Sequence, residues 1–132
     1  MMNLRRRYKS NILIDDYAHH PTEIKNVINA VKQKYPNYEI ITIFQPHTYS
    51  RTLELKKEFK EAFKEIKESY LLKTFTSREK FDKAKEREVK RVFNKCKYIT
   101  KDDYIKLNNY ENKVILILGA GDIHNSNLKS FS

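Results

Sequence analysis

Four short stretches of this chain hold the residue types that could do chemistry. They are Asp15-Asp16-Tyr17-Ala18-His19-His20-Pro21, Gln45-Pro46-His47-Thr48-Tyr49-Ser50-Arg51, Thr76-Ser77-Arg78-Glu79 and Gly119-Ala120-Gly121-Asp122. Three of the four histidines fall in the first two stretches. Arg51 and Arg78 offer planar forks of donors, which suit a carboxylate or a phosphate. Asp15 and Asp16 allow an acid–base pair, although one of two adjacent acids commonly tethers a loop. His19, His20, His47 and Asp16 could in principle surround a zinc ion, but adjacent histidines project in different directions and are not a standard ligand spacing. No metal site is therefore expected. His124, in the tail, reads as a bystander.

The glycines sharpen this picture. The chain has only two, Gly119 and Gly121. Glycine there permits positive φ or close approach of backbone to a ligand, and equally serves a tight strand-to-helix turn. Two glycines also exclude motifs. A GxxxxGK[ST] phosphate loop needs Lys after its second glycine, and Asp122 stands there; a GxGxxG fingerprint needs three. The chain has no such loop of its own to hold a triphosphate.

The stretches need elements to carry them. Residues 11–14 form an apolar run that reads as a buried strand, followed by a helix from Pro21 to about Lys34 on the spacing of Ile24, Val27, Ile28 and Val31. Residues 38–44 read as a second strand. A long helix is expected over 52–67, with Leu55, Phe59, Phe63 and Ile66 on one stripe. A third strand is expected over 69–75. Residues 80–90 read as a charged loop running into a helix near 89–93. A short strand is expected over 97–100, a weak helix over 102–107, and the cleanest buried strand over 114–118. Strands alternating with helices at this spacing predict an α/β fold, a Rossmann-like open and mostly parallel sheet with helices on both faces. In such sheets ligands bind beyond the carboxyl ends of the strands. All four stretches sit at those ends.

The chain has 132 residues, enough to bury a core as one domain. Its net charge is +10, from 27 basic and 17 acidic side chains. Lys56, Lys57, Lys60, Lys64 and Lys67 interleave with Glu54, Glu58, Glu61, Glu65 and Glu68, which suits an exposed helix face and not a nucleic-acid patch. The one basic run is Arg5-Arg6-Arg7. Cys96 is the sole cysteine, so no internal disulfide can form, and it reads as a buried or partly buried thiol with no nucleophilic role. No apolar run approaches a membrane span, and no signal peptide is evident. Neither nucleic acid nor membrane is expected as a partner, and a cytoplasmic location is.

The stretches Asp15 to Ile24, Phe44 to Thr52 and Gly119 to Ile123 together resemble the C-terminal domain of the UDP-N-acetylmuramate–L-alanine ligases of the Mur ligase family. The resemblance covers the chain from about Asn11 to Ile123. It implies that residues 11–132 are this domain and that residues 1–10, with Arg6-Arg7, are the remnant of an interdomain linker. It implies an ATP-dependent ligase of peptidoglycan synthesis, in which an N-terminal domain binds the UDP-sugar. A central domain carries the phosphate loop and most Mg²⁺ ligands. The third domain closes over ATP and the amino acid. Phosphorylation of the UDP-N-acetylmuramate carboxylate gives an acyl phosphate that L-alanine attacks. Carried over, Asp16 and Tyr17 would bind ATP. His19, His47 and Arg51, with Gly119, Ala120, Gly121 and Asp122, would line the amino-acid side, His19 and Arg51 closest to the chemistry. Some relatives carry Arg where this chain has Thr48. The isolated chain is expected to be inactive without the other domains. The alternative is a stand-alone or degenerate module that binds nucleotide or a partner without catalysis.

Overall fold

The computed structural model describes residues 3–100 and 109–120. The strands are β1 (Asn3–Tyr8), β2 (Asn11–Asp16), β3 (Glu39–Phe44), β4 (Glu68–Leu71), β5 (Lys97–Tyr98) and β6 (Lys113–Leu118). The helices are α1 (Pro21–Lys34), α2 (Tyr49–Glu54), α3 (Lys56–Phe63) and α4 (Lys83–Val92). The sheet order is β1-β2-β6-β3-β4-β5. β6 pairs in parallel with β2 on one side and β3 on the other, which brings Leu118 level with both Asp16 and Phe44. Val114 to Leu118 have no solvent exposure, as a strand covered on both faces requires.

Period-two alternation divides the core. Ile12, Ile14, Ile40, Phe44, Val114, Leu116 and Leu118 face a cluster shared with α1, α3 and α4. Leu13, Ile43, Ile115 and Ile117 face the other way, with Leu72 and Ile99 and with Tyr8, Tyr70 and Tyr110 at the margin. The described helices thus lie on one face. The helix expected over 102–107 lies outside the described residues.

Several elements differ from their sequence expectation for local reasons. Residues 3–8, where no element was expected, form the antiparallel edge strand β1 against β2. The long helix expected over 52–67 starts earlier, breaks at Leu55 (φ −109°, ψ 29°) and ends at Phe63. Thr48 begins it by accepting the Arg51 N–H at 3.3 Å. The break lets α2 pack on α4 and α3 on α1, each burying its own side chains. The charged segment 80–90 is mostly helix. Asp82 Oδ1 accepts from the N–H groups of Ala84 and Lys85, and Glu86, Val89 and Val92 form the buried stripe of α4. Glu86 is buried but satisfied, accepting from Thr74 N–H at 3.1 Å, Thr74 Oγ1 at 2.5 Å and Tyr98 OH at 2.9 Å. The third strand stops at Leu71 rather than running to Phe75. Cys96 is partly buried, and burial pushes its thiol up to about 11, with a Ser69 hydrogen bond opposing; a thiol so protonated at neutral pH is a poor nucleophile.

Phe44 ties the sheet to two helices. Its ring lies 5.7 Å from Phe59, 5.2 Å from Phe63 and 5.5 Å from Phe93. Phe44→Ala is expected to destabilise the fold by about 3–5 kcal/mol, read from the urea-unfolding midpoint. A change below about 1 kcal/mol would show that this cluster does not anchor the core.

Candidate functional site

The carboxyl ends of β2, β6 and β3 converge because β6 holds the other two in register. Gly119 N–H donates to the Asp16 carbonyl at 3.2 Å, and Gln45 N–H donates to the Leu118 carbonyl at 3.0 Å. Three of the four stretches are therefore stitched together before any side chain acts. Gly119 is buried at φ 151°, in the left-handed half of conformational space that a Cβ would disfavour. Ala120 follows, half-buried, while Gly121 and Asp122 lie outside the described residues.

The loop after β2 is built by the chain itself. Asp16 is buried, and its Oδ1 accepts the Ala18 N–H at 2.9 Å, which turns the backbone sharply after the strand. Its side chain also borders a groove of about 320 Å³ beside α1, whose wall includes Arg5, Val27 and Tyr35. Asp15, one residue earlier, is also buried. Tyr17 is exposed. The two histidines that follow divide their work. His20 caps α1: its Nδ1 accepts from Thr22 N–H at 3.2 Å, and Glu23 reaches back to the His20 N–H at 3.2 Å and the His19 N–H at 3.4 Å. His20 is thus part of a helix start. His19 is half-buried, with Nδ1 3.1 Å from the Tyr17 carbonyl. Burial would raise the Glu23 carboxyl, but those amide bonds and the two imidazoles hold it below its ordinary value.

The loop after β3 brings His47 to meet His19. Their ring centroids are 5.3 Å apart. His47 also stacks on Phe75 at 5.5 Å and 25°, and the two residues form a single parallel bridge beyond the ends of β3 and β4. Phase is set by Pro46 and Thr48: Phe75 N–H donates to the Pro46 carbonyl, and Thr48 N–H donates to the Phe75 carbonyl, both at 2.8 Å. His47 Nδ1 is buried and has no hydrogen-bond partner among the described residues. Burial lowers the imidazole pKa, the charges of His19 and Arg51 lower it further, and Glu79 opposes them. Arg51, half-buried on the first turns of α2, is close enough for its charge to be felt there.

Of the fourth stretch, Arg78 is exposed, whereas Glu79 turns inward. Glu79 accepts from Tyr49 N–H at 2.6 Å, from Ser50 N–H at 3.4 Å and from Ser50 Oγ at 2.8 Å. Burial would raise its carboxyl, but Ser50, Tyr49 and Lys85 hold it below the usual value. Sequence reasoning favoured Arg78 in this loop and passed over Glu79 and Phe75. The one available signal for Glu79 was an acid placed after a strand end, with the unpaired amides of a helix start elsewhere in the chain.

The arrangement is a half-buried cleft edge at three parallel strand ends, where Arg51 and two imidazoles stand beside the carboxylates of Glu23 and Glu79. The sequence matches the family model described as "Mur ligase, glutamate ligase domain" over residues 2–121. The chain belongs to the Mur ligase family. It is 41% identical over 115 residues to a UDP-N-acetylmuramate–L-alanine ligase of Streptococcus sanguinis, with 85% of this chain and 26% of the relative covered. A Leuconostoc citreum ligase of the same name is 46% identical over 113 residues, covering 84% of this chain and 26% of its own. The chain thus spans about a quarter of the length of the curated relatives it matches, as their C-terminal Mur ligase domain. Among solved structures, a UDP-N-acetylmuramate–alanine ligase from Thermotoga maritima superposes with TM-score 0.68 at 26% identity, covering 91% of this chain and 26% of that one. A domain from a Haemophilus ducreyi protein described as a putative UDP-N-acetylmuramate:L-alanyl-gamma-D-glutamyl-medo-diaminopimelate ligase matches at TM-score 0.60 and 21% identity, over 96% of both chains. That second likeness is one of fold. The expected family and the mostly parallel Rossmann-like sheet therefore hold.

For this Mur ligase domain, the His47 environment gives a measurable consequence. In an NMR titration its imidazole midpoint is expected below the ordinary histidine value, and His19→Ala is expected to raise it by removing a neighbouring charge. Because the folded pKa lies below the unfolded one, the native state binds fewer protons. The stability linked to His47 is present above the unfolded value and is lost as pH falls through the folded one. An unshifted midpoint would remove this picture of the cleft.

Proposed function

We propose that the chain is the ATP- and amino-acid-closing domain of a ligase that joins L-alanine to UDP-N-acetylmuramate, working in the cytoplasm. The observation that carries this reading is the meeting of His19, His47 and Arg51 at the strand ends of a domain whose 41–46% identical relatives bear that name. The reaction transfers the ATP γ-phosphoryl group to the muramate carboxylate. The L-alanine nitrogen then attacks the acyl carbon, inorganic phosphate leaves, and the amine proton is lost. No residue here acts as a covalent nucleophile. The domain supplies position and charge.

In this reading Arg51 pairs with a carboxylate or phosphate oxygen. Neutral His47 and half-buried His19 border the same space on the amino-acid side. Asp16 and Tyr17 face the nucleotide, with the groove beside α1 open to its ribose. Gly119, Ala120, Gly121 and Asp122 border the amino-acid pocket. Among the described residues no three His, Cys, Asp or Glu side chains group as a cation site. In this reading most of the Mg²⁺ ligands come from the central domain. The missing phosphate loop has the same consequence for the triphosphate. Residues 1–10 would be the end of the linker from that domain, with Asn3–Tyr8 entering the sheet as β1.

The test is reassembly. This chain, mixed with or fused to the N-terminal and central domains of a relative, is expected to release phosphate only when ATP, UDP-N-acetylmuramate and L-alanine are all present. Arg51→Ala is expected to lower kcat/KM by about 100-fold, with Arg51→Lys partly restoring it. Phosphate release unaffected by Arg51→Ala would sink the assigned role. A folded but wholly inactive assembly that still binds nucleotide would favour a binding module without catalysis.

A further inference from the structure

Thr48 is the pivot of the loop that carries His47 and Arg51, and its backbone is strained. It sits at φ 64°, ψ 148°, a region a β-branched residue avoids. Such a residue persists only where its surroundings over-determine it. On its N-terminal side the Phe75 backbone provides two hydrogen bonds, at the Pro46 carbonyl and the Thr48 N–H, both 2.8 Å. On its C-terminal side the Glu79 carboxylate holds the next two residues, through Tyr49 N–H at 2.6 Å and Ser50 Oγ at 2.8 Å. Thr48 in turn anchors the following turn, accepting Arg51 N–H at 3.3 Å and, at its carbonyl, Thr52 Oγ1 at 2.8 Å. The segments around 46–50 and 75–79 are therefore clamped on both sides of one strained residue.

We propose that Glu79 is a positioning residue: by gripping the first turn of α2 it fixes Thr48 and so sets the directions of His47 and Arg51 in the cleft. The functional consequence rests on the reading under Proposed function. Glu79 itself touches no substrate in this scheme. An ordinary helix cap would add stability and nothing more. A positioning role differs because a displacement of about 1 Å at a recognition group can cost up to about 100-fold in rate or affinity.

Two measurements on Glu79→Ala and Glu79→Gln separate these roles. In the reassembled ligase, Glu79→Ala is expected to raise KM for the amino acid by about 10-fold or more with a smaller change in kcat, because a mis-set Arg51 weakens recognition before chemistry. Glu79→Gln keeps one acceptor oxygen and is expected to recover most of that loss. In the chain alone, the His47 ring and Arg51 Nε resonances are expected to move in Glu79→Ala and return toward wild type in Glu79→Gln. A Glu79→Ala variant with a lower unfolding midpoint, a wild-type KM and unmoved resonances would overturn the proposal. If the wild-type assembly is inactive, the ligase reading fails, while the resonances still decide for or against the clamp. Should Glu79→Ala not fold, Ser50→Ala removes the hydroxyl contact alone and is read in the same way.

Discussion

β6 hydrogen-bonds to β2 on one edge and β3 on the other, although it is the last described strand of the chain. This insertion decides where everything else can be. It places the ends of β2 and β3 on either side of Gly119, two strand spacings apart, or about 10 Å. Loops of ordinary length can then lean toward each other, and the rings of His19 and His47 do. The same strand is the hub of both cores. Its even-numbered residues pack under the helices and its odd-numbered ones on the opposite face. A change in its register would move the cleft and empty the core at once.

Much of this was legible in the sequence, because each central strand announces itself by a largely apolar run and each is followed by a polar, histidine- or glycine-bearing stretch. The family resemblance rested on those same stretches. What stayed hidden depended on contacts between distant segments. The helix over 52–67 looked continuous because Leu55, Phe59, Phe63 and Ile66 share one period, yet Thr48 and Tyr49 start the helix early and Leu55 breaks it. Residues 80–90 looked like a loop because their charges are dense. Two of them, Glu86 and Val89, however, point inward at helical spacing, and Glu86 is buried against Thr74 and Tyr98. Arg78 looked like the anion binder of its loop because guanidinium is the usual one, and only the fold shows that its neighbour Glu79 faces inward.

The histidine pair shows how adjacent residues acquire separate tasks. His20 points back along the chain and is used up in starting α1. His19 points across the strand ends to His47. A side-by-side pair on an extended backbone must diverge in this way. The division also explains why a proline follows directly: Pro21 needs no N–H where the helix begins, and its fixed φ suits the first turn.

The edges of the sheet carry a quieter consequence. β1 is the outermost strand on one side, and Arg5 and Arg7 on it are exposed. Among the described residues β5 closes the other side with only two residues. A long, apolar outer strand would offer its backbone to any passing chain. Here one border is fenced by positive charge and the other is too short to template a neighbour. Like charges at Arg5 and Arg7 on two copies would oppose the addition of strand to strand along that border.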